Sequence, residues 1–501
     1  MKEKLIGSSD GNVTRREFLE RAAVTGVTLA VLGGTTKSEV AGQTIKSTTV
    51  TKPGAPPNWG LLQKNVLGDV VLNNSPEYES RRRSMVWNAV KAERFPGAIV
   101  RVRSEADVSE TIRFARTNQL KVAIRGGGHN WHNAAIRQGG VLLDLSRLNQ
   151  IQVDVEKRKA VVQPGVKGAA FIANLAPHGL AFPIGHSPKV GLSGFLLSGG
   201  VGWNYGNWGP SCASIEALDI VDARGKLIRA DHDQNADLLW AARGAGPGFF
   251  GVVTRIHLKV FPLPRAILRS RLVYPIEDFD KVAAWLPEIV RSVPAELRFG
   301  FYNRKIVIQA WAFADTVADA RSALQALEAE PTGLHAQRKR LYAELSVEEL
   351  FGAVNEGSGP GPRYAGDGVW SNASPQELLS GVRDGILAAP SESCWVEFHL
   401  LQGRGWPQLP DMAFSVFASS HVGVYSIWND AEQDTANQAW VRSTIASLEP
   451  LKVGYYVGES DLTVAPNRAQ QCFSPAAWGK LIKLKRKYDP HNVFFSYLQH
   501  P

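Results

Sequence analysis

Arg125-Gly126-Gly127-Gly128-His129 combines residue types that can do chemistry. Three consecutive glycines strip a turn of Cβ atoms, so the backbone can approach a ligand closely and point its N–H groups inward, as a diphosphate cradle requires. A histidine directly after such a loop can touch the bound molecule itself, and Asn130, Trp131 and His132 follow it. In isolation the same residues also make an ordinary glycine turn beside a surface histidine. The element that must position the loop is legible: Val122, Ala123 and Ile124 form a compact apolar run that reads as a buried strand.

A second glycine-rich stretch runs from Gly185 to Gly225, where Gly191, Gly194, Gly199, Gly200 and Gly202 leave room for a flat ring system beside the backbone. Within it, Leu218–Gly225 reads as a strand closed by a turn. Two further segments follow, Asn235–Gly244 running on to Ala245–Thr254, and Lys487-Tyr-Asp-Pro-His-Asn-Val-Phe494. In order and spacing these four segments resemble the vanillyl-alcohol-oxidase and berberine-bridge-enzyme superfamily of flavoproteins, and four ordered matches are far more specific than one glycine loop.

The resemblance implies an α+β fold: a two-subdomain PCMH-type FAD-binding domain plus an antiparallel-sheet substrate domain backed by helices. It implies FAD as cofactor, contacted by Arg125, Gly126, Gly127, Gly128, His129, Asn130, Ser187, Val190, Gly191, Gly194, Gly199, Gly200, Gly202, Val252, Val253 and Asn492. His129 matches the histidine that bonds the 8α-methyl of the flavin; His132 and His186 are rival attachment points that do not fill the matching position. Many relatives add a cysteine bond to C6, but Gly185-His-Ser187-Pro-Lys-Val190-Gly191 carries serine in the cysteine's place. A single covalent link, no 6-S-cysteinyl link, a narrower substrate channel and a weaker oxidant follow from that departure. Val190 matches the small aliphatic residue over the flavin face in oxygen-reactive members, which favours an oxidase over a dehydrogenase; a packed β-branched residue is the other reading.

Chemistry of this class needs a base within hydrogen-bond reach of the substrate proton. The strand Trp395-Val-Glu397-Phe-His399-Leu400 leads into Leu401-Gln-Gly, which resembles the family's x-x-E-P-x-G-G, and Glu397 and His399, two apart, share one face of that strand. Tyr456-Val-Gly-Glu459-Ser-Asp461 aligns with Y-x-N-Y-x-D, so Glu459 stands where relatives place a catalytic tyrosine, with Tyr456 at the first tyrosine. Glu459 first, then Glu397, with His399 and Tyr456, are the candidate catalytic residues; a solvated strand face is the alternative for each. Burial near the flavin would raise a carboxyl's pKa and suit it as a base.

The reading is an exported FAD-linked oxidase. Hydride transfer to 8α-histidyl FAD oxidises an alcohol, amine or activated C–H, and dioxygen reoxidises the flavin to give hydrogen peroxide. A flavin dehydrogenase using another acceptor, and an inactive flavin-binding protein, are the alternatives. The partners expected are a small-molecule substrate and dioxygen; the sequence leaves the substrate's identity and the oligomeric state open.

Composition agrees with a large folded enzyme: 501 residues, 44% hydrophobic and 21% charged. The net charge of +9 is scattered, and no nucleic-acid module is present. The densest basic run, Lys483–Lys487, reads as a solvated helix face. Three widely spaced cysteines, Cys212, Cys394 and Cys472, offer no metal spacing and no disulfide framework, so buried free thiols are expected. Thr14-Arg-Arg-Glu-Phe-Leu19 matches the twin-arginine export pattern, with an apolar stretch from Ala22 to Gly34 too short and interrupted to span a bilayer and a small-residue site near Val40–Gly42. The twin-arginine export machinery is therefore an expected partner, and the location periplasmic or secreted.

The expected organisation is a signal peptide over 1–42, a linker or arm over 43–75, the FAD-binding domain over 76–264, the substrate domain over 265–455 and a C-terminal return over 456–501. Ser104 with Asp107 predicts a capping box before a helix burying Val108, Ile112 and Ala115. Strands are predicted at 99–102, 122–124, 141–145, 268–274, 297–302 and 305–313, and a helix from Thr316 to Glu328.

Overall fold

A computed structural model describes residues 56–353, 362–400, 407–462 and 465–498; the twin-arginine pattern and the first part of the expected arm lie outside them. Three sheets carry the described fold. The first has the order β1-β2-β4-β3, from Asp69–Leu72 (β1), Ala98–Arg101 (β2), Val122–Arg125 (β3) and Val141–Asp144 (β4). β2, β4 and β3 run parallel, with the helix Glu105–Thr117 crossing between β2 and β3. That helix buries Val108, Ile112 and Ala115 completely, the face its spacing predicts.

Its cap differs from a reciprocal box. Ser104 Oγ accepts from Asp107 N (3.1 Å), but the Asp107 carboxylate accepts from Arg103 N (2.8 Å) and Leu67 N (2.9 Å) instead of Ser104. Asp107 thereby ties down the chain before β1. Residues 59–72, counted by composition with the linker, contain the helix Trp59–Asn65 and β1, which pairs antiparallel with β2.

The C-terminal segment 489–495 returns to this sheet. Val122 N donates to Val493 O (2.7 Å) and Phe495 N to Val122 O (3.0 Å), on the free edge of β3. Asp489 organises the return by accepting from Val493 N (2.7 Å) and Phe494 N (3.0 Å) while paired with Lys485. Lys485 is 1% exposed, so the basic run is not a uniformly solvated face; Lys487 also pairs, with Asp237 at 2.6 Å.

The second sheet is antiparallel, built from Ile151–Asp154 (β5), Lys159–Val162 (β6), Ile215–Val221 (β8), Leu227–Ala230 (β9) and Val252–Lys259 (β10) in the order β5-β6-β10-β8-β9; Leu180–Ala181 (β7) and Phe261–Pro262 (β11) form a small separate pair. The third is an eight-stranded antiparallel sheet: Ala266–Pro275 (β12), Glu296–Tyr302 (β13), Lys305–Ala314 (β14), Arg338–Glu344 (β15), Arg363–Ser371 (β16), Trp395–Leu400 (β17), Ser420–Trp428 (β18) and Lys452–Tyr455 (β19), in the order β15-β12-β14-β13-β17-β18-β16-β19.

Helices back one face of the large sheet. Val317–Leu324 packs on β12 and β14, and Asp434–Ser447 on β16 and β18. The predicted helix from Thr316 keeps its threonine cap but ends at Leu324, where the chain tightens into a 3₁₀ turn over Gln325–Leu327. Alternation sorts the faces: Val396, Phe398 and Leu400 of β17 are buried in the core, whereas Trp395, Glu397 and His399 line a cavity on the opposite face. All three cysteines are buried and free. Among the described residues no helix is long and apolar enough to cross a membrane.

Candidate active site

A cavity of about 650 Å³ lies between the glycine segments and the open face of the large sheet. One wall starts where β3 ends. Arg125 braces the loop from within: its guanidinium donates to Asp144 (2.9 Å), Met85 O (3.0 Å) and Gly127 O (3.1 Å). The arginine therefore shapes the turn, and backbone is what the loop presents to a ligand. The second segment, Gly185–Gly194, meets it glycine to glycine. A Cβ on Gly127 would sit 2.5 Å from Gly191 Cα, and one on Gly191 equally close to Gly127 Cα. Only glycine at both positions permits that approach.

His129 stands in this wall with its ring stacked on Trp87, centroids 4.3 Å apart and planes 2° from parallel. Ser187 Oγ lies 3.4 Å from His129 Nε2, so serine and histidine border the same patch. Asn130 lines the cavity, but its Oδ1 accepts from His132 N and Ala134 N (both 3.0 Å) and holds the following turn. The rival histidines are placed differently. His132 Nε2 is 2.7 Å from Glu459 O, with Asp461 3.5 Å from Nδ1, whereas His186 packs edge-on against Trp203 with Nε2 buried and unpartnered.

Gly126, Gly128, Val190, Gly194 and Val253 also line the cavity. Gly199, Gly200, Gly202, Val252 and Asn492 are not among the lining residues. Gly199 abuts Phe414, Gly202 the Pro183 and Ile184 carbonyls, Val252 is fully buried, and Asn492 takes a φ of 52° in the turn closed by Asp489. Gly200 N donates to the Tyr456 hydroxyl (3.1 Å).

The opposite wall is the sheet. Arg298, His399 and His421 are cross-strand neighbours on β13, β17 and β18; Gly300, Glu397 and Gly423 form the next row, and Tyr302, Trp395 and Tyr425 the one after. The two glycines flank Glu397 and let tyrosines lie along the sheet. A Cβ on Gly300 would meet the Tyr302 ring at 2.6 Å, and one on Gly423 would collide with the Tyr425 hydroxyl. Tyr302 donates to Glu397 Oε1 (2.6 Å), and His399 Nε2 is 3.1 Å from Glu397 Oε2. Tyr425 donates to Glu459 Oε2 (3.0 Å) from the strand next to Glu397.

The structure thus brings Glu397, His399, Tyr456 and Glu459 to one cavity. Sequence reasoning missed Arg298, Tyr302, His421, Tyr425 and Trp87. A signal existed for four of them: Arg298-x-Gly-x-Tyr302 and His421-x-Gly-x-Tyr425 repeat one pattern at strand period.

The cavity volume suits an organic cofactor site, and the facing glycines form a cradle that Cβ atoms would fill, so the residues present fit a flavin dinucleotide. Residues 96–231 match the family of FAD binding domains. The FAD-linked oxidoreductase nodO of Hypoxylon pulicicidum is 30% identical over 434 residues, covering 83% of this chain and 93% of the relative. This chain belongs to the FAD-linked oxidoreductases. Two solved structures share its fold: 6-hydroxy-D-nicotine oxidase from Arthrobacter nicotinovorans (TM-score 0.75, 23% identity, 87% of this chain and 98% of that one) and Physcomitrella patens BBE-like 1 (TM-score 0.72, 18% identity, 88% and 99%).

In this oxidoreductase the two candidate carboxylates are tuned in opposite directions. Burial works against an ionised Glu397, but His399, Arg298 (3.9 Å) and the Tyr302 hydroxyl outweigh it and hold its pKa down at about 2. Burial pushes Glu459 up to about 7, against the Tyr425 hydrogen bond, and the Asp367 and Glu397 charges add to the rise. His421 gives Glu459 no cationic relief: its Nε2 is 3.7 Å away, beyond a hydrogen bond, and burial lowers its own pKa to about 3. Tyr456 is buried, and desolvation pushes its pKa up despite the Gly200 N–H donated to its oxygen, which fits it poorly for the work of a tyrosinate. Burial also lowers His129 to about 4, so its imidazole is neutral at physiological pH.

Proposed function

We propose that this FAD-linked oxidoreductase is an exported oxidase in which Glu459 is the general base and His129 the single point of covalent flavin attachment. The observation that carries the reading is the pair of oppositely tuned carboxylates in one cavity. Glu397, held ionised by its neighbours, is a poor proton acceptor. Glu459, with a pKa near neutrality and 22% exposure to the cavity, can take a substrate hydroxyl proton and release it again. Tyr425 orients it by occupying Oε2, leaving Oε1 to accept. FAD held in the cradle of the Arg125–His129 and Gly185–Gly194 segments would supply the two-electron acceptor, with dioxygen as the oxidant that restores it and hydrogen peroxide as the product.

Attachment through His129 is supported by a neutral ring, the electron-pair donor such a bond requires, locked flat against Trp87. Ser187 beside it cannot readily supply a second, sulfur link. Val190 on the cavity wall supports dioxygen as acceptor through the resemblance, and the Thr14–Leu19 pattern supports twin-arginine export of the folded, flavin-loaded protein. The test is purification of the flavin-loaded enzyme, acid denaturation, and a peroxide assay across alcohols and amines. Yellow protein after denaturation, flavin on the His129 peptide and stoichiometric peroxide are expected. Flavin on His132 or His186 would overturn the attachment, and turnover only with an artificial acceptor would make the enzyme a dehydrogenase.

A further inference from the structure

One end of the cavity is rich in donors that the protein does not satisfy. Arg271 on β12 is in register with Gln309 on β14, which is in register with Arg298 on β13, continuing the row that leads to His399 and His421. Arg271 and Gln309 both line the cavity. Arg298 is held by Glu296 and Glu397, but among the described residues no carboxylate pairs with Arg271 and neither the Arg271 nor the Gln309 side chain has a hydrogen-bond partner. Trp311, two residues beyond Gln309 and also lining the cavity, keeps a buried indole N–H without a partner. A half-buried guanidinium and a buried N–H with no acceptor are costly unless something brings one.

The approach to that end is electropositive. Arg340 on β15 is the register partner of Arg271; Arg338 lies two residues away, and both are exposed. Among the described residues none of Arg269, Arg271, Arg338 and Arg340 takes part in an ion pair. Along the same face of the sheet an aromatic row of Tyr302, Trp395 and Tyr425 crosses to the residue that hydrogen-bonds Glu459.

We infer that the substrate is an aryl or similarly flat alcohol bearing a carboxylate, anchored by Arg271 with Gln309 and Trp311 and drawn in by Arg338 and Arg340. The planar guanidinium fork matches a carboxylate, the aromatic row accepts the flat body, and the alcohol is carried toward Glu459. This rests on the cavity being the substrate site of the proposed oxidase.

Benzoate is the probe, titrated into the purified flavin-loaded enzyme while the visible flavin band and tryptophan fluorescence are followed, with benzamide as the neutral counterpart. Benzoate should bind saturably and more tightly than benzamide, and Arg271→Met should weaken it by about tenfold or more while leaving benzamide unchanged. Arg271→Lys should keep part of the affinity. Arg338→Gln combined with Arg340→Gln should slow benzoate association and flatten its salt dependence. Should Arg271→Met fail to fold, Gln309→Leu with the lysine variant provides the same comparison. Benzoate that does not bind, binds no better than benzamide, or binds Arg271→Met like the wild type would overturn the inference. Because no turnover is involved, peroxide production from 4-(hydroxymethyl)benzamide in an enzyme indifferent to benzoate would sink this inference and leave the oxidase reading standing.

Discussion

The two walls of the cavity are built on opposite principles. The Arg125–His129 and Gly185–Gly194 wall works by subtraction: facing glycines let backbone approach backbone, and its one arginine is turned inward to hold the loop. The sheet wall works by addition, with arginine, histidine, glutamate and tyrosine at alternate positions on neighbouring strands and glycines where rings must lie flat. A subtractive wall can bind an extended group but cannot move a proton. An additive wall can move protons, but only if the charges at it are unequally compensated, as they are for Glu397 on the sheet and for Glu459, which the turn after β19 brings against Tyr425.

The largest effect that would break this contrast is at Glu459. Glu459→Gln should slow anaerobic flavin reduction by about 10²–10⁴-fold, measured by stopped flow, and remove the acidic limb of its pH profile near pH 7. A carboxyl whose folded pKa is raised loses stability as pH climbs from its unfolded value through its folded one. The variant should therefore melt higher than the wild type above pH 7, by up to roughly 3 kcal/mol, with the gap closing below about pH 4. A reduction rate like the wild type's would move the base elsewhere.

Glu397→Gln should behave in the opposite sense. Its lowered pKa contributes stability above the unfolded carboxyl pKa and loses it as pH falls toward about 2. Breaking its contacts with His399 and Arg298 should cost about 3–5 kcal/mol at pH 7, read from denaturant melts, with the deficit shrinking in acid. If this variant instead reproduced the rate loss expected of Glu459→Gln at unchanged stability, the two roles would have to be exchanged.

The smallest effect sharpens the other wall. Gly127→Ala places a methyl against Gly191 Cα and should cost about 1–3 kcal/mol of overpacking, opening the cradle. Reduced flavin content after purification, with the large sheet's circular dichroism intact, is the expected reading; full occupancy would mean that the loops need not touch.

Much of this was legible in the chain. The strand into the loop, the amphipathic helix after Ser104 and the strands of the large sheet follow from short-range periodicity, and the shared face of Glu397 and His399 follows from a spacing of two. The segments misread are those where distant residues intervene. Asp107 looks like half of a capping box until Leu67 claims its carboxylate, and Lys485 looks solvated until Asp489 buries it. Gly202 and Asn492 sit in family words yet serve backbone packing and a turn, because a motif specifies a chain path as well as its ligand contacts.

By itself the sequence determined which residues can do chemistry and which elements carry them, since hydrophobic period, glycine placement and turn residues act over a few positions. Only the tertiary structure decided which carboxylate is held ionised and which is left to titrate. That choice depends on Arg298 and Tyr302 reaching Glu397 from the neighbouring strand and His399 from its own, while Glu459 receives one tyrosine and a neutral histidine, and electrostatic balance in a buried cavity is a property of what meets in space.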